Sequence, residues 1–413
     1  MNKIDKKAST NLILTGVFLF GIYPLIPHEY ESLSVILLAL CSVIYLLITT
    51  KDKKYIKTFF ITSSIYIVLF ISALFSNNKL EGFKIIETML SLIVFPIIFY
   101  LLLGKSNINL LRIRLFFLKT YFISSLIFSI ISFYLFTIYK NARYLLTDSN
   151  FYRNAILDNN YIGDHPIYIS IYISIAIIFG FYFLDKIQKF SLNFFLILIA
   201  QGCLISLLFL LMSKGVILAL IIVFILKLIL FDRIKKVYIF SCILAFSLIF
   251  ILIPEKNNRF KEVFNFNTYK TLDSNNSTSI RVVLYKCGLE SVFKNYLYGY
   301  GVGDVQETLD ECYFHNNSNF IKGMYNSHNQ YLFIWLSGGI LSFLLFIGIL
   351  FYYLKKALEY NDRVMFSVLV LYCIIFLFEN ALSRQSGVIL FSFMMNYFLW
   401  DNFNKIKIKK LSL

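Results

Sequence analysis

Apolar runs of about 18 or more residues recur along this chain, each long enough to cross a hydrocarbon core of about 30 Å. Candidate spans fall near residues 11–26, 32–50, 58–75, 85–103, 115–139, 166–184, 190–211, 214–231, 237–253, 329–353, 364–381 and 386–400. In lipid, backbone polar groups are satisfied only within helices or closed barrels. These runs do not alternate in polarity, which excludes a barrel. The expectation is therefore an all-α integral membrane protein with about 12 transmembrane helices. The composition agrees: 59% of the residues are hydrophobic, and the mean hydropathy is +0.73. A soluble domain of 413 residues cannot hide that much apolar surface.

The net charge of +16 would suit nucleic acid. In a membrane protein it is first sorted by side, and the sorting leaves no nucleic-acid partner in the expectation. With the N-terminus in the cytoplasm, the inside segments are the N-terminal tail, "KDKKYIK", "GKSNINLLRIR", "LDKIQK", "FDRIKK", "YYLKKALEYNDR" and the C-terminal "NKIKIKK". Each of these is rich in lysine or arginine. The short outside segments are poor: "PHEYE" has neither residue, and "MSK" has a single lysine. An even number of spans returns the C-terminus to the basic side. Lys3, Lys6 and Lys7 precede an apolar run, as in a signal sequence, but no small-residue cleavage site follows. The expectation is a retained first helix.

Two outside segments are long, at about 140–165 and 254–328. Long connections are uncommon unless functional. No repeat or low-complexity linker interrupts the chain, so residues 1–413 are expected to form one polytopic domain. Residues 254–328 are its large extracytoplasmic loop, between the ninth and tenth helices. The stretch "STSIRVVLYKCGLESVFKNYL" (277–297) carries apolar residues at helical spacing, an amphipathic helix suited to lying on a membrane or a bundle. "YGYGVGD" (298–304) follows, then a second short helix in "DVQETLDECY". The glycine stretch has no strand before it and the wrong spacing for a dinucleotide fingerprint. It suits a tight turn or a close approach of backbone. Cys41, Cys203, Cys242 and Cys373 lie in apolar runs as packing residues. Cys287 and Cys312 lie in the large loop, where an oxidising compartment would allow a disulfide, although spacing alone does not show proximity. No metal-ligand spacing appears.

Both long outer segments end on a histidine, His165 and His328. His328 stands where a polar stretch meets an apolar helix, with Asn326 or Ser327 at the natural N-cap. In a first helical turn the dipole favours neutral imidazole, able to accept a proton, while the helix end attracts anions. The bland alternative is a polar residue at the membrane interface. Arg281, Lys214 and Arg384 lie at outer helix ends, where cations either snorkel or gather phosphate oxygens. Glu379 stands five residues before Arg384, placed to orient it or to form a structural ion pair with it. Glu87, Lys119 and Lys227 lie near span ends and can snorkel. No chain of mid-membrane carboxylates suggests a proton relay, which disfavours a pump or transporter.

The stretch "SHNQYLFIWLSGGILS" resembles the signature of O-antigen ligases and the related O-antigen polymerases. His328 and Asn329 match it, nine residues lead to Gly339, and Ser342 stands at the last position as a small departure. "SKG" (213–215) resembles a family Ser-Arg-Gly, with Lys214 in place of arginine. "IRVVLYKCGLESVFKNYLYGYGVGD" resembles a family stretch of an arginine, an amphipathic helix and a glycine-rich turn. "DHPIYISIYI" (164–173) resembles a His-Pro-x-Tyr segment of such proteins. The resemblance covers most of residues 160–400. It implies a bacterial inner membrane enzyme with a periplasmic active face. Such an enzyme moves a glycan from an undecaprenyl-pyrophosphate carrier onto an acceptor hydroxyl. That acceptor is the lipid A-core for a ligase, or another lipid-linked glycan for a polymerase. Neither a metal nor another cofactor is implied. By position, His328 would be the general base and Arg281 would hold the pyrophosphate. Lys214 would be a second phosphate contact, without an arginine's fork. His165, Tyr168, Arg384 and Asn329 would line the substrate. A lipid-linked glycan transporter is the non-enzymatic alternative.

Overall fold

The computed structural model describes residues 3–48, 55–103, 110–139, 151–157, 159, 164–231, 269, 277–316, 323 and 325–411. Every regular element among them is helical. The helices are α1 (Lys3–Gly21), α2 (Glu31–Ile48), α3 (Ile56–Phe75), α4 (Lys79–Thr88), α5 (Ser91–Pro96), α6 (Leu110–Tyr139), α7 (Phe151–Leu157), α8 (Pro166–Leu184), α9 (Leu192–Leu210) and α10 (Lys214–Leu230). After them come α11 (Ser277–Lys294), α12 (Val305–Asn316), α13 (Gln330–Glu359), α14 (Arg363–Ile375) and α15 (Gln385–Leu411).

Among the described residues, six stretches are long and apolar enough to cross a membrane: His28–Leu47, Ile56–Phe75, Arg112–Leu135, Pro166–Leu184, Leu192–Leu210 and Gln330–Glu359. A seventh arises if α4 and the helix Ser91–Leu102 count as one span bent by 44°. That bend falls at Met89–Leu90, between the two helices, and interrupts the continuous span expected at 85–103. Pro96 lies inside α5, and the next turn, Ile97–Leu102, is a wide π-helical one. The apolar part of α1 and the whole of α14 are shorter than a span. α10 has 17 residues. The expected span at 237–253 lies outside the described residues, so about 12 spans is more than they show.

The chain packs as two compact units. The first takes residues 1–41, 107–261 and 362–371. At its centre is α8, apolar on every side and buried along nearly its whole length, as expected of an all-round hydrophobic helix. Gln201 on α9 donates to the Ile177 carbonyl at 2.9 Å. Ser124 on α6 donates to the Gly21 carbonyl at 2.7 Å. Arg114 grips Asp362 through two hydrogen bonds of 2.6 and 2.7 Å, both side chains being buried. Lys227 is buried and lies 3.7 Å from Asp185, a partly exposed carboxylate just past the end of α8.

The second unit takes residues 42–106, 262–361 and 372–413. Its organising feature is a break in α13 at Gly338 and Gly339, whose backbone is not helical. The opened carbonyls of Leu336 and Ser337 accept from Tyr300 N–H at 2.7 Å and Gly301 N–H at 3.1 Å. Ile340 N–H donates back to the Tyr296 carbonyl at 2.9 Å. The glycine-rich turn is thus a close approach of backbone to backbone. Gly339 has φ +67°, and a Cβ there would collide with the Leu297 carbonyl. Ser342 Oγ serves the Ile334 and Gly339 carbonyls at 2.7 and 2.8 Å, so a hydroxyl at this position helps to seal the break. Asp304 at the end of the turn accepts from Asn77 and Asn78 N–H at 2.7 and 2.8 Å. The two helices expected in the large loop are present as α11 and α12. Cys287 on α11 and Cys312 on α12, left open by their spacing, form a disulfide. Leu284 and Val292 bury one face of α11, while Leu289 and Phe293 are exposed.

Candidate functional site

In the second unit the chain enters α13 through "YNSHNQ". Asn329 is the N-cap, its Oδ1 accepting from Tyr331 and Leu332 N–H at 3.0 and 3.1 Å. His328 therefore stands just before the helix and not in its first turn, which corrects the expectation that Asn326 or Ser327 caps it. The dipole argument for a neutral ring loses its geometry with that shift. Instead His328 has φ +43°, a left-handed conformation that a β-carbon disfavours. Asn326 Oδ1 holds this turn by accepting from His328 N–H at 2.9 Å.

The segment between α14 and α15 closes around that turn. α14 stops at Ile375, short of the expected 381, because residues 376–383 fasten the start of α13. Gln330 N–H donates to the Phe376 carbonyl at 2.8 Å, and Leu382 N–H donates to Gln330 Oε1 at 2.8 Å. Ser327 Oγ contacts Asn380 Oδ1 at 3.0 Å. This wrapping brings Glu379 Oε2 to 3.3 Å from His328 Nδ1. Glu379 is buried, whereas about a quarter of the His328 side chain, 26%, is open to solvent. In the neutral tautomer that donates to this carboxylate, Nδ1 carries the proton and Nε2 the lone pair.

Tyr285, one turn after Arg281 on α11, joins the same group. Its hydroxyl reaches the Leu377 carbonyl at 2.6 Å and the His328 carbonyl at 3.3 Å. Burial pushes the phenol up to about 12, with Glu379 adding to the rise and Arg281 opposing it. The hydroxyl thus keeps its proton and stays a donor at neutral pH. The Arg281 Nε is buried and makes no hydrogen bond among the described residues. A buried guanidinium N–H without an acceptor favours an anionic ligand beside it. Arg384 lies exposed at the end of the turn Ala381–Ser383.

The first unit holds the other expected residues. His165 is the N-cap of α8: Nδ1 accepts from Ile167 N–H at 3.4 Å, and Pro166 opens the helix. Tyr168 is fully buried, its ring edge-on to that of His165 at 6.1 Å. Lys214 is the first residue of α10, after Met212 at φ +50°. Ser213 Oγ accepts from Ser170 at 2.8 Å. Arg153 on α7 donates to the Leu211 carbonyl and lies 3.5 Å from Ser213 Oγ. So α7 brings a second cation to the turn that carries Lys214.

Three of these residues were not found from sequence in these roles. Glu379, expected to orient Arg384 or to pair with it, also contacts His328, 51 residues away, which the sequence does not signal. Tyr285 had a local signal, since positions i and i+4 share a helix face with Arg281. Arg153 had none beyond its place in a long outer segment.

A family model described as O-antigen ligase matches residues 199–347. That stretch is O-antigen ligase-like, and it contains Lys214, Arg281, His328, Asn329 and Gly339. His165, Tyr168, Glu379 and Arg384 lie outside it. No curated protein matches the chain.

Proposed function

We propose that this chain, O-antigen ligase-like over residues 199–347, transfers a glycan from undecaprenyl-pyrophosphate to an acceptor hydroxyl. The acceptor we propose is the lipid A-core. The observation that carries the reading is the contact of His328 with buried Glu379, beside Tyr285 and Arg281. Nε2 takes the proton of the acceptor hydroxyl as its oxygen bonds the anomeric carbon of the donor sugar. The bond from that carbon to the pyrophosphate oxygen breaks, and the leaving group takes the electron pair. Glu379 stabilises the imidazolium that forms, through the Nδ1 proton, and keeps Nε2 facing outward. Arg281 offers its guanidinium to the charge that gathers on pyrophosphate. No step requires a metal or another cofactor. Lys214 is proposed as a phosphate contact of the first unit, with Arg153 beside it. His165, Tyr168, Asn329 and Arg384 are proposed as substrate contacts.

The face we propose for this chemistry is periplasmic, in the inner membrane, with both termini in the cytoplasm. The Cys287–Cys312 disulfide supports it, because such bonds persist in oxidising compartments. The lipopolysaccharide profile of native cells carrying His328→Ala, with expression checked by blot, tests the reading. A bare core with full-length glycan held on the carrier supports a ligase. Cores bearing single repeats would assign a polymerase instead, and an unchanged ladder would remove His328 from the chemistry.

A further inference from the structure

A second polar cluster lies in the first unit, separate from the glycan-transfer reading. His28 sits in the short turn His28–Tyr30, Glu31 is the first residue of α2, and Asp164 immediately precedes His165. One ligand atom from each of these three residues lies within 4.8 Å of the other two. His28 Nδ1 is 3.5 Å from Glu31 Oε2. The Tyr172 hydroxyl reaches Glu31 Oε1 at 3.0 Å and Asp164 Oδ2 at 3.2 Å. Its single proton serves one carboxylate at a time. Glu31 is 1% exposed, so this charge is held away from water.

Between these groups is a cavity of about 20 Å³, walled by Pro24, Phe128 and Ile169 on its apolar sides. A void of that size admits one water-sized species. The donor set is one imidazole nitrogen and two carboxylates, and first-row divalent cations accept that mixture. Three ligands around one cation with bonds of about 2.0–2.2 Å lie about 3.3–3.8 Å apart. His28 Nδ1 and Glu31 Oε2 already do, at 3.5 Å, and an Asp164 oxygen within 4.8 Å of both closes the set by moving inward about an ångström or less. Glu31 is buried, Asp164 half-buried and His28 exposed, and a cation between the two carboxylates offsets their like charge.

We propose that His28, Glu31 and Asp164 bind one divalent cation of the Mn²⁺ or Zn²⁺ type. Tyr172 orients the two carboxylates. The cation ties the start of α2 to the start of α8, and so fixes the backbone at His165. Sequence spacing gave no sign of it because the ligands come from two distant segments.

The full chain in detergent, stripped with chelator, is titrated with Mn²⁺ and separately with Zn²⁺ by calorimetry. Thermal unfolding is followed in parallel. The expected result is one saturable site per chain for at least one of the two ions, with Tm raised on binding. Asp164→Asn and His28→Gln each weaken that binding at least tenfold, while His315→Ala, a histidine on α12 outside the cluster, leaves it unchanged. The two cluster variants come from different segments, so either one that elutes as folded protein suffices. Absence of saturable binding overturns the proposal. Undiminished binding in a folded cluster variant also overturns it. Binding of Ca²⁺ with neither Mn²⁺ nor Zn²⁺ overturns the imidazole ligand and the site as drawn.

Discussion

In the proposed reaction His328 takes a proton, and a histidine in that role needs its other nitrogen held; Glu379 Oε2 lies 3.3 Å from its Nδ1. Replacing His328 with alanine is expected to lower transfer by about 10²- to 10⁴-fold, the usual worth of a general base. Glu379→Gln keeps the shape and removes the charge. A hydrogen bond to a charged group is worth about 1.5–3 kcal/mol, so turnover is expected to fall about ten- to a hundredfold. The fall should appear in kcat more than in KM, read from purified protein with lipid-linked donor. An unchanged kcat would dismiss the pair. Tyr285→Phe is expected to leave expression intact and to lower kcat by about tenfold, since it frees the carbonyls of His328 and Leu377 and loosens the turn. The sequence made His328 and Arg281 visible because each sits at a helix edge beside polar residues. It did not make Glu379 legible as the partner of His328. Residues 376–378 continue an apolar run, and hydropathy carries the expected span to 381 despite Glu379 and Asn380. Only the backbone bonds from Gln330 and Leu382 show that the run turns back.

At the scale of elements, the broken helix α13 and the glycine-rich turn are one device. The family-like glycine at 339 has a physical reason here: a positive φ and a carbonyl where a Cβ would be. Gly339→Ala is expected to destabilise the second unit by about 2–4 kcal/mol, from strain and overpacking together. A lower Tm and reduced Trp335 burial by fluorescence would register it, because Trp335 Nε1 donates to the Tyr296 carbonyl beside the break. Gly348, which has open space around its Cβ position, is the matched control and should tolerate alanine. Spacing predicted α11 and the second helix after the turn, but not which side of α11 packs: Leu284 and Val292 are buried while Leu289, expected on the same face, is exposed. It could not predict the break in α13. "SGG" inside an apolar run reads as ordinary span, and the groups that stabilise its opening come from residues 296–301.

At the scale of the whole molecule, the charge pattern and the ion pairs bear on one question, which side each segment faces. Arg114 and Asp362 come from two segments expected on the cytoplasmic side, and they are joined by a buried two-bonded pair. Asp185, in another such segment, pairs with Lys227 near the end of the expected span 214–231. Arg114→Ala leaves Asp362 as a buried charge, expected to cost about 3–5 kcal/mol. Yield of folded protein after detergent extraction would report that loss. The opposite face is where the disulfide lies in the proposed orientation, and it permits a direct check. If α11 and α12 face the periplasm, Cys287 and Cys312 are oxidised in growing cells. A maleimide-polymer gel shift, with cells quenched in acid, should then show both protected until a reductant is added. In a strain that lacks its periplasmic thiol oxidase the two should become reactive. Losing the bond is expected to cost about 3 kcal/mol, given the 25-residue separation it closes, so the oxidase-deficient strain should also hold less of the protein. Free thiols at both positions in wild-type cells would put this loop in the reducing compartment, and the assignment of the active face would fall with it.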